Sequence, residues 1–203
     1  LVRVTFLPLS SGQDRLYLHG VHLVGPEGRS FRPLTEAYTY VPIADEGERV
    51  AVIDVNAGGA LTATVTLTTT VRIPPAVLTE TTALVYRLLD EPGHPTPSCA
   101  RFAGRAFWLG RYACGSETSP DTLPGTASVR VRYDDQAPVD LIEKGLVLKR
   151  WDDRTNAWVD AACGPSTQEA AANWIDVPIS TLGEFALFEH PPRVYLPLAM
   201  KNG

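Results

Sequence analysis

Lysine, cysteine and methionine are scarce: the 203 residues hold three Lys, three Cys and one Met. Three cysteines cannot build a dense disulfide scaffold, so the fold must rest on a hydrophobic core, which a chain of this length can bury. No Cys-x-x-Cys pair occurs and no His lies near a cysteine, which argues against a zinc site. No apolar run approaches the roughly 18 residues that a membrane span requires. Glu/Lys/Ala/Leu blocks of helix-forming length are missing too. Only STQEAAAN at 166–173 has helical propensity, enough for a single turn or so. A concentrated basic face is also lacking: 15 Arg and three Lys are scattered along a chain of net charge −5, which excludes nucleic acid as the expected partner. No nucleophile elbow, phosphate loop, dinucleotide fingerprint or zincin motif is present, so the reading is a non-enzyme without a cofactor.

What is present is alternation. In VRVTFLPL at 2–9, Val2, Val4 and Phe6 fall on one face and Arg3 and Thr5 on the other. The same logic, with β-branched enrichment and Gly or Pro punctuation, marks strands at 15–24, 36–43, 49–55, 60–73, 82–89, 102–112, 126–133, 145–151, 157–160 and 184–189. The clearest is ALTATVTLTTTVRI at 60–73, where Leu61, Ala63, Val65 and Leu67 alternate with threonines; a turn is expected near Thr68 to Thr70. Turn-forming segments separate the strands: EPGHPTP at 91–97, SETSPDTLPG at 116–125 and YDDQAP at 133–138. Many short strands with regular turn signals predict an all-β chain, an antiparallel β-sandwich of Ig-like or Greek-key type with additional N-terminal strands.

Residues 58–188 carry a more specific pattern. GGALTATVTLTTTVRIPPAVLTETTALVYRLL is followed by VRVRYDD, by LVLKRWDDRTNAWVDAACG and by NWIDVPISTLGEFALF. This run resembles a β-sandwich module of secreted and cell-surface proteins of Chloroflexi-type bacteria. The tail RVYLPLAMKNG is similar to the Tyr-Leu-Pro-Leu endings of exported proteins from the same group. The resemblance implies a fold and an extracellular location, and members of the module are mostly accessory units without activity. It also implies a division into an N-terminal β segment at 1–57, a sandwich at 58–190 and a strand-like tail at 191–203. One departure stands out: the module often has Cys where Thr181 stands, as a partner for the position of Cys163, and that bridge cannot form here. The chain begins at Leu1 rather than Met, as expected of an exported protein without its leader or of a piece of a longer precursor.

Few residues point to chemistry. In an exported protein, three cysteines suggest one disulfide and one spare thiol; of the three pairings, Cys99–Cys114 is favoured because it flanks the strand at 102–112. Closing that loop would stabilise by about 3 kcal/mol. His19 and His22 form His-x-x-His, but on a strand this spacing sends the two rings to opposite faces. His94 and His190 sit beside prolines in expected loops, without evident partners. Paired acids at Asp45–Glu46, Asp90–Glu91, Asp134–Asp135 and Asp152–Asp153 read as solvated turn formers. No metal is expected. The turn of Asp152, Asp153 and Asn156 offers oxygens for calcium but lacks the regular acid spacing and bidentate Glu of a dedicated loop. Trp108, Trp151, Trp158, Trp174 and Tyr112 are candidates for a sugar-stacking platform, yet Trp151 and Trp158 occupy matching positions of an expected hairpin, where aromatic pairs stabilise sheets.

The two ends resemble each other: RVTFLPL at 3–9 and RVYLPL at 193–198, each beside a breaker, SSGQ at 10–13 and HPP at 190–192. Such a segment must bury its apolar face, either on its own sandwich or on the open edge of a neighbouring subunit. Strand donation by residues 1–10, through Val2, Val4, Phe6, Leu7 and Leu9, would link copies head to tail into an open filament. The sequence therefore points to a structural subunit of an extracellular bacterial surface assembly, a pilus-like fibre self-associating as a homopolymer. The alternative is a non-catalytic carbohydrate- or protein-binding accessory module, which an exposed planar row of three aromatics would favour.

Overall fold

The alternating segments pair into two antiparallel sheets that face each other across one core. The structure is a computed structural model that describes residues 23–24, 30–33, 40–42, 47–65, 67–113, 122–134 and 145–190. In chain order, β1 (Leu23–Val24), β2 (Ser30–Pro33) and β3 (Tyr40–Pro42) form a small sheet in that order, and β3 runs beside β7 (Thr82–Leu89). The sandwich begins with β4 (Glu48–Ile53), β5 (Gly59–Val65) and β6 (Leu67–Ile73). After β7 come β8 (Arg101–Ala113), β9 (Thr122–Arg132), β10 (Leu146–Asp152) and β11 (Ala157–Asp160). The chain then forms β12 (Thr167–Glu169), a single 3-10 turn at Ala170–Ala172, β13 (Trp174–Thr181) and β14 (Gly183–Glu189).

The six-stranded sheet has the order β11-β10-β14-β8-β7-β4, the five-stranded sheet β12-β13-β9-β6-β5. The last strand, β14, returns to lie between β8 and β10, and β9 lies between β6 and β13, connections of the Greek-key kind. The antiparallel sandwich expected from periodicity is therefore the fold. It starts earlier than residue 58, because β4 pairs with β7 over the whole of Glu48–Ile53.

Alternate residues of each strand fill the core. Phe107 of β8 stacks on Tyr86 of β7 (centroids 5.4 Å apart, rings at 23°) and on Phe185 of β14 (5.3 Å, 15°). Facing them, the five-stranded sheet contributes Val71, Val129, Val131, Ile175, Val177 and Ile179, all buried. A fully buried aliphatic or aromatic side chain contributes roughly 1.5–3 kcal/mol, so this layer dominates the stability. Two arginines, Arg105 and Arg111, are buried among the described residues. Arg105 donates from Nη2 to Leu67 O (2.6 Å), Thr69 Oγ1 (3.0 Å) and Tyr86 Oη (3.1 Å). Burial lowers the Arg105 pKa and raises that of Tyr86.

The structure also departs from the sequence expectations at the 60–73 turn, at β13 and at the expected disulfide. The 60–73 segment turns between Val65 and Leu67, not at Thr68 to Thr70, and its halves pair with Leu61 opposite Val71 and Ala63 opposite Thr69. Both members of each pair are odd-numbered, so odd residues face inward before and after the turn and the alternation runs through it unbroken. Thr69 is buried as the acceptor for Arg105, which is why a run of threonines continues the strand there.

β13 is absent from the strands expected from alternation, and it contains Pro178. The carbonyl of Pro178 accepts from Cys163 N (2.9 Å), so that side of the residue faces away from β9 and no ladder donor is lost. At 166–173 the structure agrees with the sequence: it forms a single 3-10 turn at Ala170–Ala172, and Thr167–Glu169 pairs with Trp174–Asp176. Finally, the Cys99–Cys114 bridge is not formed. Cys99 is an exposed free thiol, as is Cys163, and Cys114 lies outside the described residues. The 13 residues of β8 between the two positions are extended, a run of about 40 Å, whereas a disulfide needs its Cα atoms within about 7 Å.

Candidate functional site

Residues 2–9, with Val2, Val4, Phe6, Leu7 and Leu9, lie outside the described residues, as do His19, His22 and the tail at 191–203. The sandwich itself shows what an added strand would meet. Two open sheets have four edges, here β11 and β4, and β12 and β5. An edge strand presents unpaired N–H and C=O groups to any extended chain, and proteins usually blunt it with charge, proline or shortness. β4 carries Glu48 and Arg49; β11 has four residues and ends on Asp160; β12 has three and ends on Glu169. β5 has seven residues, GALTATV, with no charged residue and no proline. Among the described residues it pairs only with β6.

This edge is also rigidly held. Leu61 and Ala63 point into the core and are buried, while Ala60, Thr62 and Thr64 are exposed. The Thr62 and Thr70 hydroxyls lie 3.4 Å apart across the hairpin. Upstream, the Asp54 carboxylate accepts from Asn56 N and Ala57 N, both at 2.8 Å, which fixes the turn from β4 into β5. Gly58 completes that turn at φ +68°, where an added Cβ would lie 2.5 Å from the carbonyl oxygen of Ile73. A stiff, uncharged edge of about 23 Å is a template for strand addition, the recognition mode in which backbone hydrogen bonds supply affinity.

Of the residues singled out for other chemistry, His94, Trp108, Trp151 and Trp158 are engaged in holding the fold. Trp151 and Trp158 stand opposite each other in the β10–β11 hairpin and pack edge to face at 5.6 Å. His94, without an evident partner in the sequence, stacks flat on Trp151 (3.9 Å, 9°). The Glu184 carboxylate accepts from Gly93 N (2.7 Å) and lies 2.9 Å from His94 Nδ1. Trp158 donates to Pro95 O (3.0 Å) and packs on Phe188. The proline-rich segment at 91–97 is thereby strapped across the outer face of the six-stranded sheet. Trp108 lies under Arg87 at 5.3 Å and occupies the space left by Gly110, whose added Cβ would come within 2.0 Å of the ring. Trp174, on the other sheet, lies under Arg130 at 4.2 Å. These tryptophans do not form an exposed planar row.

The acids of the calcium candidate are used by their turn. Asp152 accepts from Arg154 N (3.3 Å) and from the Thr155 hydroxyl (3.0 Å); Asp153 accepts from Trp151 Nε1 (2.9 Å); Asn156 adopts a left-handed φ of 51°. Among the described residues no group of three or more His, Cys, Asp or Glu is placed to hold a metal ion, and no helix is long and apolar enough to cross a membrane.

Sequence reasoning overlooked the edge because it treated 60–73 as one strand broken late. The available signal was the uncharged stretch GGALTATV itself. No protein-family model and no curated protein matches the chain.

Proposed function

We propose that this chain is a non-catalytic structural subunit of an extracellular bacterial surface assembly, joined to its neighbours by a strand donated from one copy to the β5 edge of the next. The observation that carries this reading is that β5 alone of the four edges has full strand length without charge or proline. The proposed occupant is the segment 2–9 of a second copy. Its eight residues match the seven of β5 in length, and its pattern matches both faces. Val2, Val4 and Phe6 would continue the buried face of Leu61 and Ala63, while Arg3 and Thr5 would continue the exposed face of Thr62 and Thr64. A contact between one copy's terminus and another copy's edge is heterologous and does not close on itself, so repetition gives a fibre. The extracellular setting rests on the resemblance of residues 58–188 and of the tail to exported bacterial modules.

Two variants test the reading together: deletion of residues 1–10, and Thr62→Lys combined with Thr64→Lys on the edge. The wild type is expected to form long assemblies by electron microscopy and light scattering, and both variants are expected to remain monomeric. Assemblies persisting in either variant, or a wild type that stays monomeric at high concentration, would overturn it.

A further inference from the structure

The outer face of the five-stranded sheet holds a groove of about 360 Å³, open to solvent and lined by Thr68, Thr70, Arg130, Arg132, Ala172 and Trp174. In a chain of net charge −5, this lining contains two cations and no anion. Arg130 and Arg132 alternate along β9, so their side chains emerge on one face about 7 Å apart. The cross-strand register sets Thr70 opposite Arg130 and Trp174 opposite Arg132.

The two guanidinium groups are held differently. Arg130 is fixed in plane: Asp176 accepts from its Nε (3.1 Å) and Nη2 (2.9 Å), and the group lies over the Trp174 ring at 4.2 Å. The result is a platform of guanidinium over indole, held in place by Asp176. Arg132 is exposed and makes no hydrogen bond or ion pair among the described residues, although its neighbour across the strand pair, Trp174, is half-buried. An exposed, uncommitted guanidinium beside a preset platform suits a bidentate anion. The hydroxyls of Thr68 and Thr70 add donors and acceptors along the same groove.

We propose that this groove binds an anionic glycan, a linear sugar polymer bearing carboxylate or sulfate groups. Arg132 takes the acidic group, the Arg130–Trp174 platform takes the face of a sugar ring, and Thr68 and Thr70 hydrogen-bond to ring hydroxyls. Shallowness favours a chain lying along the sheet over an enclosed small molecule. Only two guanidinium groups line the groove, one already partnered by Asp176, and this favours a sparsely charged sugar chain over the dense phosphates of a nucleic acid. The groove adjoins the β5 edge, with Thr68 and Thr70 paired to Thr64 and Thr62 across the hairpin, but none of its lining residues belongs to β5, and its test through Arg132 and Thr68 leaves residues 1–10 and β5 unchanged.

The test is titration of the full-length chain by calorimetry with polygalacturonate, dextran sulfate, neutral dextran and polyphosphate, for the wild type, Arg132→Ala and Thr68→Val. Arg132 and Thr68 lie on the outer face, and circular dichroism confirms that each variant is folded. The expected result is binding of polygalacturonate or dextran sulfate that weakens with added salt, with neutral dextran at least tenfold weaker. The two acidic polymers then separate a carboxylate from a sulfate preference. Arg132→Ala should lower affinity about tenfold or more, and Thr68→Val severalfold. Absence of binding to both acidic glycans, equal binding of neutral dextran, polyphosphate binding as tight as the glycans, or an unchanged affinity in Arg132→Ala would each overturn the assignment.

Discussion

The two sheets share one core but present opposite outer faces. On the six-stranded sheet, the outward residues are largely covered. Phe188, Ala186 and Ala106 form a second apolar cluster with Phe102 and Trp158, under the strap at 91–97. Further along the same face, Ala83, Val85 and Glu48 are also buried, where β3 runs beside β7. The five-stranded sheet instead turns threonines and arginines outward and leaves β5 open. Burial on the first face stabilises the fold; exposure on the second leaves backbone and side-chain groups available to partners. The difference is a second apolar layer on one sheet and a polar, open outer face on the other.

Several substitutions would break or sharpen that contrast. The largest effect is expected on the covered face: Phe188→Ala should destabilise by about 3–5 kcal/mol in chemical denaturation, through lost contacts with Trp158 and Phe102 and the cavity left behind. A loss below about 1 kcal/mol would mean that this face is not a true second core. Next is Gly58→Ala, at about 1–3 kcal/mol, since the residue combines positive φ with a backbone clash at Ile73 and Pro74. A smaller effect, about 1 kcal/mol, is expected for His94→Ala, with a red-shifted tryptophan emission as Trp151 loses its stacked cover. The Thr62→Lys and Thr64→Lys pair on the wet face should change monomer stability by no more than about 0.5 kcal/mol. A large loss there would show that the edge is structural.

Alkaline pH probes the shared core. Burial outweighs the pull of Arg105 and raises the Tyr86 pKa, so the fold disfavours the ionised phenolate. The resulting contribution is whole below the unfolded value of about 10 and is lost as pH rises through the folded value. Denaturation midpoints should therefore fall above pH 10 in the wild type and fall less steeply in Tyr86→Phe.

The strands at 82–89 and 157–160 were legible to the residue from strand-forming residues set between marked breakers, although β7 buries both faces at 82–86 and β11 has no buried residue. The Trp151–Trp158 pairing was legible for the same reason. The β5–β6 turn was not, since pairing residues of equal parity leaves the inward face on odd numbers throughout. β13 was hidden by Pro178, whose harmlessness depends on a neighbour, β12, that stops short of it. The partners of His94 were hidden as well, because Glu184 lies 90 residues away and only the packing of β14 beside β8 brings them together. Local pattern reveals a strand; it does not reveal which strands become edges, and the proposed interaction site is an edge.

Paired cysteines give the most direct test of the donated strand. With Cys99, Cys114 and Cys163 replaced by Ser, Thr5→Cys would be combined in the full-length chain with Ala60→Cys, Thr62→Cys or Thr64→Cys in turn, then oxidised and resolved without reductant. Donation from copy to copy predicts a ladder of covalent oligomers for at least one register. A cross-link confined to the monomer, or none in any register, would contradict it.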